Sequence, residues 1–156
     1  MAFLSSLNIA GSGLNAEKTR LNIISENISN IDTTRTEKGG PYTRKLIVFQ
    51  STEKPDFSNL LSAKLSKAAG GLTIGSGLNP GAGVRVQAII NDESEYKKVY
   101  DPENPDADEK GYVLYPNVDL IKETTDAMAA TRAYQANITS LNAIKDMASY
   151  ALRIGE

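Results

Sequence analysis

The sequence predicts an α+β chain in which long N- and C-terminal helices pair through coiled-coil seams and a small β-rich module of hairpins is inserted between them. Three observations predict it. Apolar residues occupy nearly every a and d position of a heptad over roughly the first 33 residues, the last 40 or so repeat the pattern, and the centre alternates Gly- and Pro-rich turns with short runs of Val, Ile and Tyr. The chain accordingly divides into a helix over 1–33, a central module with a glycine-rich loop over 34–116, and a second helix over 117–156.

In the first helix Leu7, Leu14, Leu21 and Ile28 stand at a, and Phe3, Ala10, Ile24 and Ile31 at d, with Glu17 out of pattern. A second stripe, Ile9, Ala16 and Ile23, recurs at c, more than a quarter-turn from the seam. Apolar residues on two faces predict two partners, one of them a neighbouring subunit. Gly11 and Gly13 each weaken the first turns by about 0.8–1 kcal/mol relative to Ala, so the helix is expected to fray in the isolated chain and form on assembly.

The helix is expected to end where Asn30, Asp32, Thr33 and Thr34 cluster, because short polar side chains compete for backbone hydrogen bonds. Gly39, Gly40 and Pro41 then turn the chain. Tyr42 to Phe49 reads as a strand. Residues 51–69 are mixed, with Phe57 to Leu65 readable as a short helix or a polar loop, and Gly70 to Gly83, with its six glycines and Pro80, reads as linker or turns. Val84 to Ile90 alternates as a second strand, Glu95 to Tyr100 reads as its hairpin return, and Tyr112 to Tyr115 as a fourth strand after an acidic loop.

From Val118 to about Arg153 no Gly or Pro interrupts a helical pattern. Ala127, Tyr134, Leu141 and Ala148 fall at a, Ala130 and Ile144 at d, with Ile138 and Leu152 beside the seam. The opposite stripe is Ala129, Ala136 and Ala143, whose small side chains suit close approach by another subunit's helix.

Composition narrows the chemistry. Net charge is −2, which provides no basic field for nucleic acid. His and Cys are absent, removing thiol nucleophiles, imidazole bases and the usual zinc and haem ligands. No run reaches the ~18 apolar residues of a membrane span, and no basic residue precedes Lys18, so neither a transmembrane segment nor a cleaved leader is expected.

The acidic loop from Asp101 to Lys110 is the best candidate for a metal or carboxylate site, but a calcium loop starting at Asp106 would put Lys110 and Asn117 at ligand positions. A solvated, proline-stiffened turn fits better. The glycine-rich stretch lacks the Gly-Lys-Ser/Thr ending of a phosphate loop. No cofactor, metal or catalytic residue is expected.

Particular strings carry a resemblance. Ser25-Glu-Asn-Ile-Ser-Asn-Ile-Asp-Thr33 near the N-terminus and Arg132-Ala-Tyr-Gln-Ala-Asn137 near the C-terminus resemble signatures of the bacterial flagellar rod and hook axial proteins. Between them, Gly39-Gly-Pro-Tyr42 with Arg44, Tyr100-Asp-Pro-Glu-Asn-Pro-Asp-Ala-Asp108, Gly111-Tyr-Val113 and Tyr115-Pro-Asn-Val-Asp119 resemble the rod members of that family, so the likeness runs from end to end. Ile31, Asp32, Thr43 and Thr124 depart from the family's commoner residues.

The resemblance implies a structural, non-catalytic subunit of the flagellar basal-body proximal rod, in the rod that spans the periplasm. It implies export by the flagellar type III system, terminal helices paired as an antiparallel coiled coil, and helical stacking on copies of itself and other rod proteins, with export-apparatus and ring components as further partners. By position, Asn27, Asn30 and Thr33 should fix the exit from the first helix, and Arg132, Tyr134 and Asn137 the packing of the second. Tyr100, Asp101, Pro102, Asp106 and Asp108 fall in the loop motif, and Tyr115, Pro116 and Asn117 at the entry to the second helix. The alternative is a secreted binding module that uses loop 101–110, with the helices as a stalk.

Overall fold

The computed structural model describes residues 2–37, 39–52 and 83–153. Two long helices, α1 (Ala2–Ser29) and α2 (Leu120–Arg153), flank four short strands: β1 (Lys45–Ser51), β2 (Val84–Asn91), β3 (Lys97–Tyr100) and β4 (Tyr112–Tyr115). The fold is α+β, with helices at both ends and small antiparallel ribbons between them. The helices run antiparallel. Gly13 lies against Asn137, Arg20 reaches Asp126 at 3.8 Å and Asn27 reaches Glu123 at 3.2 Å, so later residues of α1 meet earlier residues of α2.

A Cβ at Gly13 would lie 2.9 Å from Asn137 Nδ2, so the residue that weakens the helix in isolation is what gives the Asn137 side chain room against α1. Asn30 closes α1 by donating its side-chain amide to Glu26 O at 2.8 Å, and Thr33 donates to Asn30 Oδ1 at 3.3 Å. Asp119 opens α2 as an N-cap, its Oδ1 accepting from the Ile121 amide at 2.9 Å.

β1 pairs antiparallel with β2, from Lys45 opposite Asn91 to Ser51 opposite Val84, with a bulge at Val48/Phe49. β3 pairs with β4, from Lys97 opposite Tyr115 to Tyr100 opposite Tyr112. The expected hairpin between the second and third strands is therefore corrected. Asp92 Oδ1 accepts from the Ser94 amide at 3.1 Å, and the Asn117 side chain donates to the Asp92 and Ser94 carbonyls at 3.1 and 3.2 Å, which carries the chain away from β2 before β3 begins.

The first strand also starts later than the pattern of side chains suggests. The Tyr42 amide donates to Thr33 O and the Arg44 amide to Asn117 Oδ1, so the ladder starts with the bond from the Asp92 amide to Arg44 O at 2.8 Å, and Lys45 opposite Asn91 is the first paired residue. The expectations for Phe57 to Leu65 and for Gly70 to residue 82 lie outside the described residues.

Two-stranded ribbons are marginal alone, and the β1–β2 ribbon leans on α1. Its contact point is Gly83, which is buried with φ +126°. The Val84 amide donates to Ser12 Oγ at 3.0 Å, while Ser12 Oγ donates to Ile9 O at 2.7 Å, and a Cβ on residue 83 would collide with that hydroxyl. Gly83→Ala should therefore destabilise the chain by about 1–3 kcal/mol in urea unfolding; an unchanged midpoint would show that β2 does not depend on this approach.

Candidate functional site

The most densely bonded point of the chain is where the end of α1, the start of β1 and the first turn of α2 meet. Asn27 is 1% exposed, and its amide has every hydrogen-bonding position filled. Oδ1 accepts from the Tyr42 hydroxyl and the Lys45 amide, both at 2.9 Å, and Nδ2 donates to Lys45 O at 2.9 Å and Glu123 Oε2 at 3.2 Å. One side chain thus satisfies both main-chain groups of β1's first residue and ties them to α2.

Arg44 supplies the countercharge. Its Nε donates to Glu123 Oε1 at 2.7 Å, Nη2 lies 2.5 Å from the same oxygen and 3.7 Å from Asp126, and Nη1 reaches Asp92 at 3.3 Å. Glu123 is 1% exposed, so its charge is tolerable only because Arg44 and Asn27 cover both oxygens. Burial would lower the Arg44 guanidinium, but the hydrogen bond and charge of Glu123, with Asp92 behind them, outweigh it and hold it above its ordinary value.

Asp92 is held below the usual carboxylate range by hydrogen bonds from Ser94 and then by Arg44. Tyr42 is pushed up to about 12, first by burial and then by the negative charges of Glu26 and Glu123. Asn117 adds a main-chain tie through Arg44, and Lys97 Nζ donates to Val118 O at 2.7 Å. These groups neutralise and immobilise one another; chemically the arrangement is a clamp.

The seam residues fall where a pairing of the helices puts them: Ala10 and Ile24 are buried, and Leu7, Leu14, Leu21, Ile28, Ile31, Tyr134, Leu141, Ile144 and Ala148 are half-buried. The placement of Phe3's side chain lies outside the described residues. Ile138 is exposed, and Leu152, at 77% exposure, does not join the seam. With Asn137 opposite Gly13, the residue opposite Ala2 lies 11 further along α2, near Ala148, so Leu152 extends past the start of α1.

The second stripes separate. Ala129, Ala136 and Ala143 are exposed along α2, and Ile9 is 44% exposed. Ala16 and Ile23 are buried within the chain, in keeping with the β1–β2 ribbon packed on α1, which corrects their expected role as intersubunit contacts.

Of the other motif residues, Asn27, Asn30 and Thr33 lie at the α1 exit, while Arg132 is exposed. Asp106 accepts from Thr34 Oγ1 at 2.8 Å and lies 3.8 Å from Arg35, which pins the acidic loop to the turn after α1. Asp101 and Asp108 close the hairpin through main-chain bonds to Gly111 and Tyr112; the Tyr100 ring meets that of Tyr112 edge-on at 5.3 Å, and Tyr100 and Pro102 lie beside Gly111. Tyr115 is half-buried and Pro116 buried at the entry to α2.

Sequence reasoning missed the roles of Glu123 and Arg44, the ion pair at the centre of the clamp. A signal existed for one of them: Glu123 stands seven residues before Ala130, so it occupies a d position, where a carboxylate needs a buried partner.

Asn27 and Glu123 of this clamp fall within regions that known families match, while Arg44 and Asp92 lie between those regions. Residues 7–35 match the family described as flagella basal body rod protein, and residues 109–154 match the one described as flagellar basal body rod FlgEFG protein C-terminal. Paired terminal helices joined to a small β module thus define a flagellar axial protein of the rod class. The chain is 42% identical to the flagellar basal-body rod protein FlgC of Bacillus subtilis over the full length of both. It is 40% identical to that of Borreliella burgdorferi over 99% of this chain and 98% of the relative, and 38% identical to that of Salmonella typhimurium over all of both. The chain belongs to the FlgC family, and is a structural rod subunit of the flagellar basal body.

Asn27→Ala should cost about 1–3 kcal/mol for each buried donor it strands, foremost the Lys45 amide, as read by urea unfolding. Tyr42 gives a pH signature. Its folded pKa is raised from 10.0 to about 12, so its contribution to stability is complete below pH 10 and is lost as pH rises through about 12. Tyrosinate absorbance should show a late step near pH 12 that Tyr42→Phe removes; a wild-type titration lacking that step would show the phenol to be solvated.

Proposed function

We propose that this subunit stacks helically with copies of itself and with other rod proteins through its terminal helices, and so transmits torque along the rod. The observation that carries this reading is the free face of α2. Ala129, Ala136 and Ala143 recur every seven residues without cover from their own chain, beside exposed Met128, Met147 and Tyr150. Small side chains flanked by flexible and aromatic ones suit close helix packing. Ile9 is the member of the α1 stripe left to share in such a contact.

The same reading makes the protein a non-enzyme, exported by the flagellar type III apparatus. It places the subunit in the rod across the periplasm, with ring components among its neighbours. No described helix is long and apolar enough to cross a membrane, which agrees with it. The alternative of a ligand-binding acidic loop is less well supported, because Asp106 is engaged by Thr34 and Arg35.

Ala136→Glu tests the stacking face. An exposed substitution should change the subunit's own stability by no more than about 0.5 kcal/mol, yet it should block incorporation into rods and abolish swimming. Normal swimming by that strain would remove the stripe from the interface.

A further inference from the structure

The seam between α1 and α2 is periodic, and that periodicity leaves its register underdetermined. Both helices repeat apolar a and d residues every seven positions, so sliding one past the other by a heptad, about 10.5 Å, returns apolar side chains to apolar side chains. Across the seam, Gly13 faces Asn137, and two heptads on in α1 and two back in α2, Asn27 faces Glu123. Arg20 and Ala130 occupy the level between them. Ser6 or Arg20 could take the place of Gly13 beside Asn137 if the Asn137 amide rotated away, since a Cβ at that place lies 2.9 Å from its Nδ2.

Asn117 and Lys97 hold the entry to α2, and within the seam itself what distinguishes the observed register is charge and hydrogen bonding. Only here does the Glu123 carboxylate meet both Arg44 and the saturated Asn27 amide. In either slipped register Arg44, 6% exposed, loses its nearest carboxylate, and Asn27 loses an acceptor. We infer that the buried Glu123–Arg44–Asn27 cluster is the register lock of the helix pair, selecting one alignment among apolar alternatives of similar energy. A single buried polar residue fixes register in coiled coils by the same means. The inference does not rest on the stacking reading, although register decides where the exposed α2 stripe sits relative to the ribbons.

The chain has no cysteine, so introduced pairs report register directly. In the full-length protein, Asn137→Cys is combined with Gly13→Cys to read the observed register, and with Ser6→Cys or Arg20→Cys to read a slip in either direction. With the cluster intact, mild oxidation should cross-link only the first pair within a single chain. In the Arg44→Met/Glu123→Leu background, whose apolar replacements commonly preserve stability, one of the slipped pairs should gain about tenfold in yield while helix content by circular dichroism is retained. Glu123→Gln, which keeps the shape and drops the charge, should move the yields the same way. Folded variants that cross-link only at 13 and 137 would overturn the proposal. Loss of helix content in both variants would overturn it too, since the cluster would then hold the fold rather than choose its register.

Discussion

A carboxylate buried in a helix seam is a constraint that the surrounding structure must meet. Glu123 occupies a d position of α2 with 1% exposure, and an unpaired charge there would be strongly destabilising. Its two oxygens need donors from outside α2. Arg44 covers one and Asn27 the other, which requires β1 to begin beside the last turns of α1 and α2 to start at that same point. Three segments far apart in sequence are thereby fixed by one anion, and Asp92 and Asn117 extend the hold to the connection between the ribbons.

The central module depends on this attachment because its own resources are small. Each ribbon has two strands, and Ile89, Ile90 and Val99 remain largely exposed, so the strands bury too little apolar surface to stand alone. Stability comes from the ends: Gly83 seats β2 on Ser12 of α1, Lys97 ties β3 to Val118, and Asp106 fastens the acidic hairpin to the turn after α1. The module is a set of short elements hung on a helical frame.

Much of that frame was legible in the sequence, and the reasons for the misses are particular. Heptad spacing located both helices, and alternation from Val84 to Ile90 located β2, because periodicity reports local burial. Strand pairing was not legible: Glu95 to Tyr100 alternates like a hairpin partner, and only the side chain of Asn117, reaching Asp92 and Ser94 from the far side of the acidic loop, turns the chain away. Nor did the stripe Ile9, Ala16, Ile23 disclose its partner. An apolar face says that something covers it, and for Ala16 and Ile23 the cover lies within the chain. Arg44 and Glu123 were hidden for a related reason, since charged residues read as solvated until tertiary structure brings their partners together.

The two helices consequently end in different states. α1 is enclosed on one side by α2 and on another by the β1–β2 ribbon, which leaves Leu4 and Ile9 as its exposed large apolar residues among those described. Among the described helices and strands α2 packs on α1 alone, and it runs past the first described residue of α1; Met128, Met147, Tyr150 and Leu152 stay open to solvent. Such a helix draws its support within the chain from the seam with α1 and from the clamp. The clamp anchors α2 at its first turn, yet Leu120, Ile121 and Met128 are exposed near that anchor as Met147, Tyr150 and Leu152 are far from it. A subunit built in this way is held by a clamp at one end of its helix pair and offers apolar surface along the whole of α2, which is the distribution expected when a partner, rather than the monomer, completes the packing.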